Sequence, residues 1–387
     1  MRKLRMRQSY RIIPIYTADV SGVCSALYEL GGMVVMHDPS GCNSTYNTHD
    51  EIRWYDQDSL IYISGLTEID AVMGNDEKLL HDIKEAAREL KPRFIALAGS
   101  PIPYMSGTDF SALAEILETE LGIPAFAVPT NGMHDYTYGA GIALEKIAEK
   151  FIVSAEKGNA LVCPGTLNLL GVTPLDFGPQ EQVDVMKQNL EEKGWRILST
   201  WAMGDSLDEL VHAGEAEVNL AVSSVGLRAA KILKEKFGTP YVVGTPVGDF
   251  TDEICEALNK KDGIPFLENR LAGKPEITLI GDAVTMGSLA AVIEKKCQKA
   301  VQVICPLETH DGLLSVNDTA AKGEEEMESL LKDSKIIAAD PLYRPICPKD
   351  SQFYELPHIA FSGRIFLKKI KEGKGFLRSK QKGNCTT

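Results

Sequence analysis

The sequence predicts an α/β protein made of three successive units with parallel sheets. Short apolar runs alternate with amphipathic stretches almost throughout the 387 residues. This alternation of strand and helix patterns is typical of parallel sheets that are covered by helices. The order restarts twice, and the length accommodates three domains of ordinary size. We therefore predict domains at residues 1–157, 158–272 and 273–387.

The first unit contains the clearest patterns. Residues 77–92 repeat Leu79, Ile83 and Leu90 at helical spacing, and Pro92 ends that helix. The run RFIALAG at 93–99 is short, apolar and closed by glycine, which predicts a buried parallel strand. A helix at 110–122, a strand at 124–129 and a helix at 139–152 complete the predicted unit.

The second and third units repeat this order. The second has predicted strands at 159–165, 196–202, 218–224 and 239–248, with helices at 180–194, 206–214 and 226–238. The third has predicted strands at 276–282, 299–307 and 335–343, with helices at 286–296 and 324–334. Ligands of such sheets bind beyond the carboxyl ends of the strands. The segments expected there are 99–109, 128–141, 163–171, 223–226, 243–249, 305–312 and 340–348.

Composition excludes several classes of protein. The formal net charge of -13 argues against a nucleic-acid binder. No apolar run is long enough to span a membrane, and the start lacks the pattern of a signal peptide. The eight cysteines are scattered, which favours free thiols or metal ligands in a reducing cytoplasm over disulfides. The chain has no phosphate-binding glycine motif, so we expect no ATP site of its own.

Two cysteines are the strongest candidates for metal ligands. Cys42 follows the strand-like run GMVVM and the turn HDPSG, and Cys24 precedes a helix-like stretch. A thiol at a helix start is stabilised as the thiolate, which is the form that ligates iron. Two thiolates cannot complete a cluster that takes four ligands, whereas a two-fold dimer presents two plus two. The third candidate is Cys347, in a loop after a predicted strand.

Motifs along nearly the whole chain carry a resemblance to the nitrogenase component 1 superfamily. They are Cys24, Gly41-Cys42 with Tyr46 and His49, Gly74 with Lys78-Leu79, Lys91-Pro92, Gly107-x-Asp109, Pro129-x-Asn131-Gly132, Leu207-Asp208-x-Leu210, Val218-Asn219-Leu220, Phe237-Gly238-Thr239-Pro240, Asp340-Pro341-Leu342-Tyr343 and Pro357-His358. The superfamily includes nitrogenase catalytic and cofactor-assembly subunits, light-independent protochlorophyllide and chlorophyllide reductases, and a homodimeric reductase of nickel-tetrapyrrole biosynthesis.

The resemblance implies a fold, a cofactor and partners. It implies three Rossmann-like α/β domains around a central cleft. It implies a homodimer, or a heterodimer with a related chain, that shares a [4Fe-4S] cluster through Cys24 and Cys42. An ATP-hydrolysing iron protein is expected to deliver electrons. A second metallocofactor or a tetrapyrrole is expected in the cleft.

The sequence departs from nitrogenase in two ways. The segment that holds a third cluster cysteine in nitrogenase has none here, and Pro101 stands near that place. A four-iron cluster is therefore expected rather than an eight-iron one. The cofactor-ligating cysteine and histidine have only Cys347 and His358 as stand-ins, so dinitrogen reduction is not expected.

Other side chains are weaker candidates for the cleft. His134, Tyr136 and His310 occupy strand-end loops and could donate protons to a reduced substrate. Hydroxyls and amides that could bind an anionic ligand come from Ser223, Ser224, Gly244 and Thr245. Ordinary roles in hydrogen-bonded turns remain open for all of them.

Three functions remain open. The first is an iron–sulfur oxidoreductase component that reduces a tetrapyrrole or small molecule in the cleft. The second is a non-catalytic scaffold or carrier for a metallocofactor. The third is a small-molecule binding protein that has lost the cluster.

Overall fold

The computed structural model describes residues 11–13, 16–39, 46, 50–152, 162–268 and 270–371. The strands are β1 (Met33–His37), β2 (Ile61–Ile63), β3 (Ile95–Gly99), β4 (Ala125–Val128), β5 (Cys163–Leu170), β6 (Arg196–Thr200), β7 (Ala216–Ala221), β8 (Tyr241–Val243), β9 (Ile277–Ile280), β10 (Val301–Cys305), β11 (Thr319–Ala320), β12 (Ile336–Ala339) and β13 (Gln352–Glu355).

The α-helices alternate with these strands, as the sequence predicts. They are α1 (Asp19–Leu27), α2 (Glu68–Met73), α3 (Asp76–Leu90), α4 (Pro101–Ser106), α5 (Phe110–Leu121), α6 (Tyr136–Lys150), α7 (Pro174–Phe177), α8 (Gln180–Glu191), α9 (Leu207–Leu210), α10 (Leu227–Phe237), α11 (Thr251–Lys260), α12 (Ala283–Cys297), α13 (Glu324–Leu331), α14 (Ile359–Ser362) and α15 (Leu367–Lys369). Short 3-10 helices occupy several of the turns.

The strands form three sheets in which every pairing is parallel. The strand orders are β2-β1-β3-β4, β6-β5-β7-β8 and β11-β10-β9-β12-β13. The predicted α/β class with parallel sheets is therefore confirmed. The sheets are drawn from residues 33–128, 163–243 and 277–355, and the predicted boundaries near 157 and 272 stay predictions.

One predicted loop is a strand. The sequence places residues 163–171 beyond a strand end, because Pro164 and Gly165 are typical of turns. Residues 163–170 instead form β5, a central strand that pairs with β6 and β7. Three leucines of this strand are completely buried, namely Leu167, Leu169 and Leu170. Their burial outweighs the poor strand propensity of Pro164 and Gly165.

Local signals fix the helix ends. The side chain of Asn75 accepts a hydrogen bond from the backbone at the start of α3, and Lys91 ends that helix in a left-handed conformation just before Pro92. Asp109 and Gly122 bound α5 in the same way. These ends bring α3 and α5 against one face of the first sheet, where Leu79, Ile83 and Leu117 are buried.

A close crossing of α1 and α6 holds the first unit together. A Cβ on Gly22 would lie 2.2 Å from the backbone oxygen of Tyr136, and one on Gly139 would lie 2.0 Å from that of Asp19. Only glycine permits this approach. Within the described ranges, no helix is both long and apolar enough to cross a membrane.

Candidate functional site

Loops from all three sheets meet around one cavity of about 500 Å³. His134 and Tyr138 come from the segment after β4, and Arg228 and Lys231 come from α10 after β7. The third sheet contributes the segment after β10. The remaining lining residues are Thr137, Gly141, Ser224, Leu227, Pro306, Leu307, Glu308, Thr309, His310, Leu313, Ala320, Ala321 and Lys322. This position at the carboxyl ends of parallel strands is where such folds bind ligands.

Two other cavities lie away from the place where the three sheets converge. A cavity of about 340 Å³ lies between the residues around Phe250 and α12. A cavity of about 600 Å³ lies between residues near Arg53 and the turn at Gly204. Neither is formed by strand-end loops from all three sheets, so the 500 Å³ cavity, hereafter the central cavity, is the candidate site.

The wall of the central cavity is held by contacts between sheets. His134 Nδ1 lies 2.9 Å from Oε1 of Glu308, and its ring stacks on Tyr138 with 3.9 Å between ring centroids. Asp135 accepts a hydrogen bond of 2.6 Å from the backbone N–H of Glu308. These bonds join the loop after β4 to the loop after β10, so the cavity wall is preorganised.

The lining of the central cavity carries an excess of basic groups. Arg228 is paired with Glu145 at 3.2 Å and lies 5.6 Å from the ring centroid of Tyr138. Among the described residues, Lys231 and Lys322 form no ion pair, so their charges are available to a ligand. Among the residues that the structure describes, Glu308 is the one acidic side chain in the lining. The cavity therefore suits an anion.

The predicted cleft residues divide into two groups. His134, His310 and Ser224 line the central cavity. Ser223 instead donates to the carbonyl of Gly171 at 2.7 Å, and Thr245 donates to the carbonyl of Val222 at 2.7 Å, so both hydroxyls serve the fold.

Gly244 also lies outside the cavity lining. A Cβ there would lie 2.5 Å from a side-chain carbon of Ile254, so this glycine permits close packing. The sequence missed Arg228 and Lys231 because basic residues on an amphipathic helix usually face solvent.

Tyr136 and His358 belong to a buried polar cluster behind the cavity. Tyr136 is fully buried and donates a hydrogen bond to Asp176. His358 Nε2 lies 3.6 Å from Oδ1 of Asp176. Asp282 is also buried there, and burial followed by the charge of Asp176 raises its pKa to about 6. The cluster draws residues from all three units.

Of the three cysteine candidates, the structure describes Cys24 and Cys347. Cys347 directly follows the 3-10 helix Pro341–Ile346, and its thiol donates to the carbonyl oxygen of Tyr343 at 3.2 Å. Cys24 lies in α1 and is completely buried. Cys42 and His49 fall outside the described residues. Within the described ranges, no three His, Cys, Asp or Glu side chains are placed to hold a metal ion.

The surroundings of Cys24 favour a neutral thiol. Burial, and then the carboxylates of Glu51 and Asp50, raise its pKa well above the ordinary value. Glu51 is itself paired with Arg53, whose Nε lies 2.8 Å from Oε1. These residues alone do not complete an iron–sulfur site. A coordinated metal would supply the positive charge that a thiolate needs.

Comparison with known proteins identifies relatives of this chain. The family described as Nitrogenase component 1 type Oxidoreductase matches residues 21–279. The nitrogenase iron-molybdenum cofactor biosynthesis protein NifE of Klebsiella pneumoniae is 23% identical over 55% of this chain and 49% of its own length. The nitrogenase molybdenum-iron protein alpha chain of Methanothermobacter thermautotrophicus is 24% identical over 79% of this chain and 70% of its own length.

Two further matches extend this result. A subunit of the light-independent protochlorophyllide reductase of Synechococcus sp. is 26% identical over 50% of this chain and 40% of its own length. The chain thus spans about half the length of several curated relatives it matches. A solved structure named "Nitrogenase Cp1 at pH 5" has a TM-score of 0.65 at 15% identity, covering 95% of this chain and 88% of that one. That likeness establishes a shared fold.

Proposed function

The chain belongs to the family of nitrogenase component 1 type oxidoreductases, and on that premise we propose that it is an iron–sulfur oxidoreductase component that reduces an anionic substrate in the central cavity. The observation that carries this proposal is the convergence of Arg228, Lys231, His310 and Lys322 from two sheets on one cavity. A tetrapyrrole with carboxylate side chains, or a small anion, has the complementary charge.

The proposed redox centre lies in the first unit. We propose that Cys24 and Cys42, with ligands from a second chain, hold a [4Fe-4S] cluster. Such a cluster supplies one-electron transfer when bound. The role of this chain is to provide thiolates and to exclude water, which the complete burial of Cys24 supports. Electrons are proposed to come from a separate nitrogenase-reductase-like iron protein.

The proposed partner surface is an exposed apolar patch, defined here as Ile69, Val72, Met73, Tyr104 and Met105. Their side chains are between 56% and 85% exposed, and α2 has no buried residue. An apolar patch of this kind is typical of an interaction site. We propose that a second copy, or a related chain, covers it.

The order of the sheet supports this partner. In the first sheet β1 lies between β2 and β3, and α2 and α4 follow β2 and β3. In the sequence, Cys42 follows β1. We therefore propose that a chain sharing a cluster with Cys42 approaches the carboxyl edge of this sheet.

A second candidate function is that of a metallocofactor scaffold. The names of several relatives favour it, since NifE and NifN are described as cofactor biosynthesis proteins. The cavity geometry serves either role, because a scaffold also needs a preorganised basic pocket. A reductase converts the bound substrate to product, whereas a scaffold binds its ligand without reducing it.

One experiment separates them. The anaerobic holoprotein is loaded with a propionate-bearing tetrapyrrole, then mixed with a reduced iron protein and MgATP. Loss of the tetrapyrrole absorption spectrum, with an Arg228→Met/Lys231→Met variant inactive, is the result expected of a reductase. Tight binding with an unchanged spectrum favours the scaffold. Absence of binding at any pH contradicts a tetrapyrrole ligand.

A further inference from the structure

Asp282 is a buried acid whose charge is incompletely satisfied. It follows β9 and caps α12, and its Oδ2 accepts hydrogen bonds from the backbone N–H of Val284 at 3.0 Å and Thr285 at 3.1 Å. The residue is 1% exposed. Its other oxygen, Oδ1, makes no hydrogen bond within the described part of the chain.

The groups that face Asp282 offer little positive charge. Asp176 comes from α7 and Tyr136 from α6, and both are themselves buried. Cys305 approaches from the end of β10, where burial, and then the carboxyl of Asp282, raise the pKa of its thiol. His358 is the nearest basic group of this cluster, and it lies beside Asp176. Two carboxylates thus share a water-poor space, which favours a proton on one of them.

Asp282 lies behind residues that line the central cavity. Ser224 lines the cavity, and its hydroxyl faces the carboxyl of Asp282 and opposes part of the rise in its pKa. Among the described atoms, the Ser224 hydroxyl is buried without an ordinary hydrogen bond. Cys305 is followed directly by Pro306 and Leu307, which also line the cavity. A charge in the cavity is therefore close to this acid.

We propose that an anion entering the central cavity binds together with a proton, which Asp282 takes up on Oδ1. The proton comes from solvent, converts the carboxylate to a carboxylic acid, and leaves when the anion leaves. The bound ligand then has an acid behind the Ser224 hydroxyl. This inference rests on the proposed function only in requiring that the cavity holds an anion.

The size of the effect follows from electrostatics. The pKa of Asp282 is about 6 before any ligand binds. A single negative charge about 10 Å away, at an effective dielectric constant of about 20, raises that pKa by about one unit, and a dianion raises it further. At about pH 6.5, a shift of that size corresponds to an uptake of about half a proton per bound anion.

The test uses sulfate, which has no titrating group in this range and no carbonyl band. Infrared difference spectra of the full chain, with and without saturating sulfate, are recorded at about pH 6.5. The wild type is expected to gain a carboxylic acid carbonyl band. Asp282→Asn is expected to bind sulfate without that gain, because asparagine retains the cap but cannot titrate. The matched control is Asp205→Asn, which removes another acid of raised pKa outside the cavity lining and keeps the gain.

The outcomes separate the two proposals. Failure of the wild type to bind sulfate contradicts an anion site in the cavity. Binding without the band, or a band that persists in Asp282→Asn, overturns the role of Asp282. If Asp282→Asn does not fold, the same infrared measurement on Asp176→Asn tests the proposal. Removing that neighbouring charge lowers the pKa of Asp282, so the gain must shrink at the same pH.

Discussion

His134 Nδ1 lies 2.9 Å from Oε1 of Glu308, so the loop after β4 in the first sheet is bonded to the loop after β10 in the third. This contact closes one side of the central cavity. It leaves the basic groups of α10 and Lys322 to face the interior. The charge of the cavity is therefore set by residues from separate units, and each can be altered without touching the sheets.

Removal of two cavity lysines should weaken anion binding. Lys231 and Lys322 are exposed side chains, so each contributes modestly through solvent-screened attraction. We expect Lys231→Met/Lys322→Met to raise the dissociation constant for sulfate by about tenfold at low salt. Lys332→Met, an exposed lysine outside the cavity lining, is the matched control. Equal affinity of the wild type and the double variant would contradict the basic-cavity account.

A charge in the apolar patch should disrupt the proposed assembly. Val72 is 85% exposed within the patch, and Val316 is 83% exposed on the third unit, away from it. We expect Val72→Asp to raise the dimer dissociation constant by about tenfold or more, because burying an unpaired charge opposes association. Val316→Asp should have no such effect. Sedimentation equilibrium measures both, and identical behaviour of the two variants would assign the interface elsewhere.

The acid Asp282 should make stability depend on pH. Its pKa is raised from 3.8 to about 6, so the folded protein binds more protons than the unfolded chain between these values. Stability that is present below about pH 4 is therefore lost as the pH rises towards 6. Relative to Asp282→Asn, the wild type should lose about 3 kcal/mol over that range.

Unfolding midpoints of the wild type and Asp282→Asn measure this difference. The difference between the two unfolding midpoints should shift in favour of the wild type at low pH and in favour of the variant at neutral pH. A difference that is constant across this pH range would mean that the pKa of Asp282 is the same in the folded and the unfolded protein.

The crossing of α1 and α6 should not tolerate a side chain. In Gly139→Ala the new Cβ meets the backbone oxygen of Asp19 at 2.0 Å, and backbone cannot move aside as a flexible side chain can. We expect a loss of about 3 kcal/mol or more, measured by denaturant unfolding. Gly312→Ala, where a Cβ meets nothing within 4 Å, should stay within about 0.5 kcal/mol of the wild type. Equal losses would contradict the crossing.

The sequence predicted the order of elements better than the contacts between them. Apolar runs such as 93–99 become β3 because burial and the glycine that ends the run act locally. The strand predicted at 159–165 was ended too early, before Leu170, because local turn signals opposed a burial pattern that only the sheet determines.

The candidate site was likewise predicted only in part from the sequence. Loop position alone brought His134, His310 and Ser224 into consideration. The proximity of Asp282 and Asp176 joins two units that are far apart in the chain. No local sequence pattern predicts that these two side chains are neighbours. The basic residues of α10 were missed because a solvent-facing helix side and a cavity-facing one have the same amphipathic pattern.

The most direct test of the proposed redox function is the iron and acid-labile sulfide content after anaerobic purification. The wild type is measured beside Cys24→Ala, with Cys255→Ala as a control in a cysteine on α11. We expect about four irons per dimer, lost in Cys24→Ala and kept in Cys255→Ala. A folded wild-type protein that holds no iron, even after reconstitution with iron and sulfide, would contradict it.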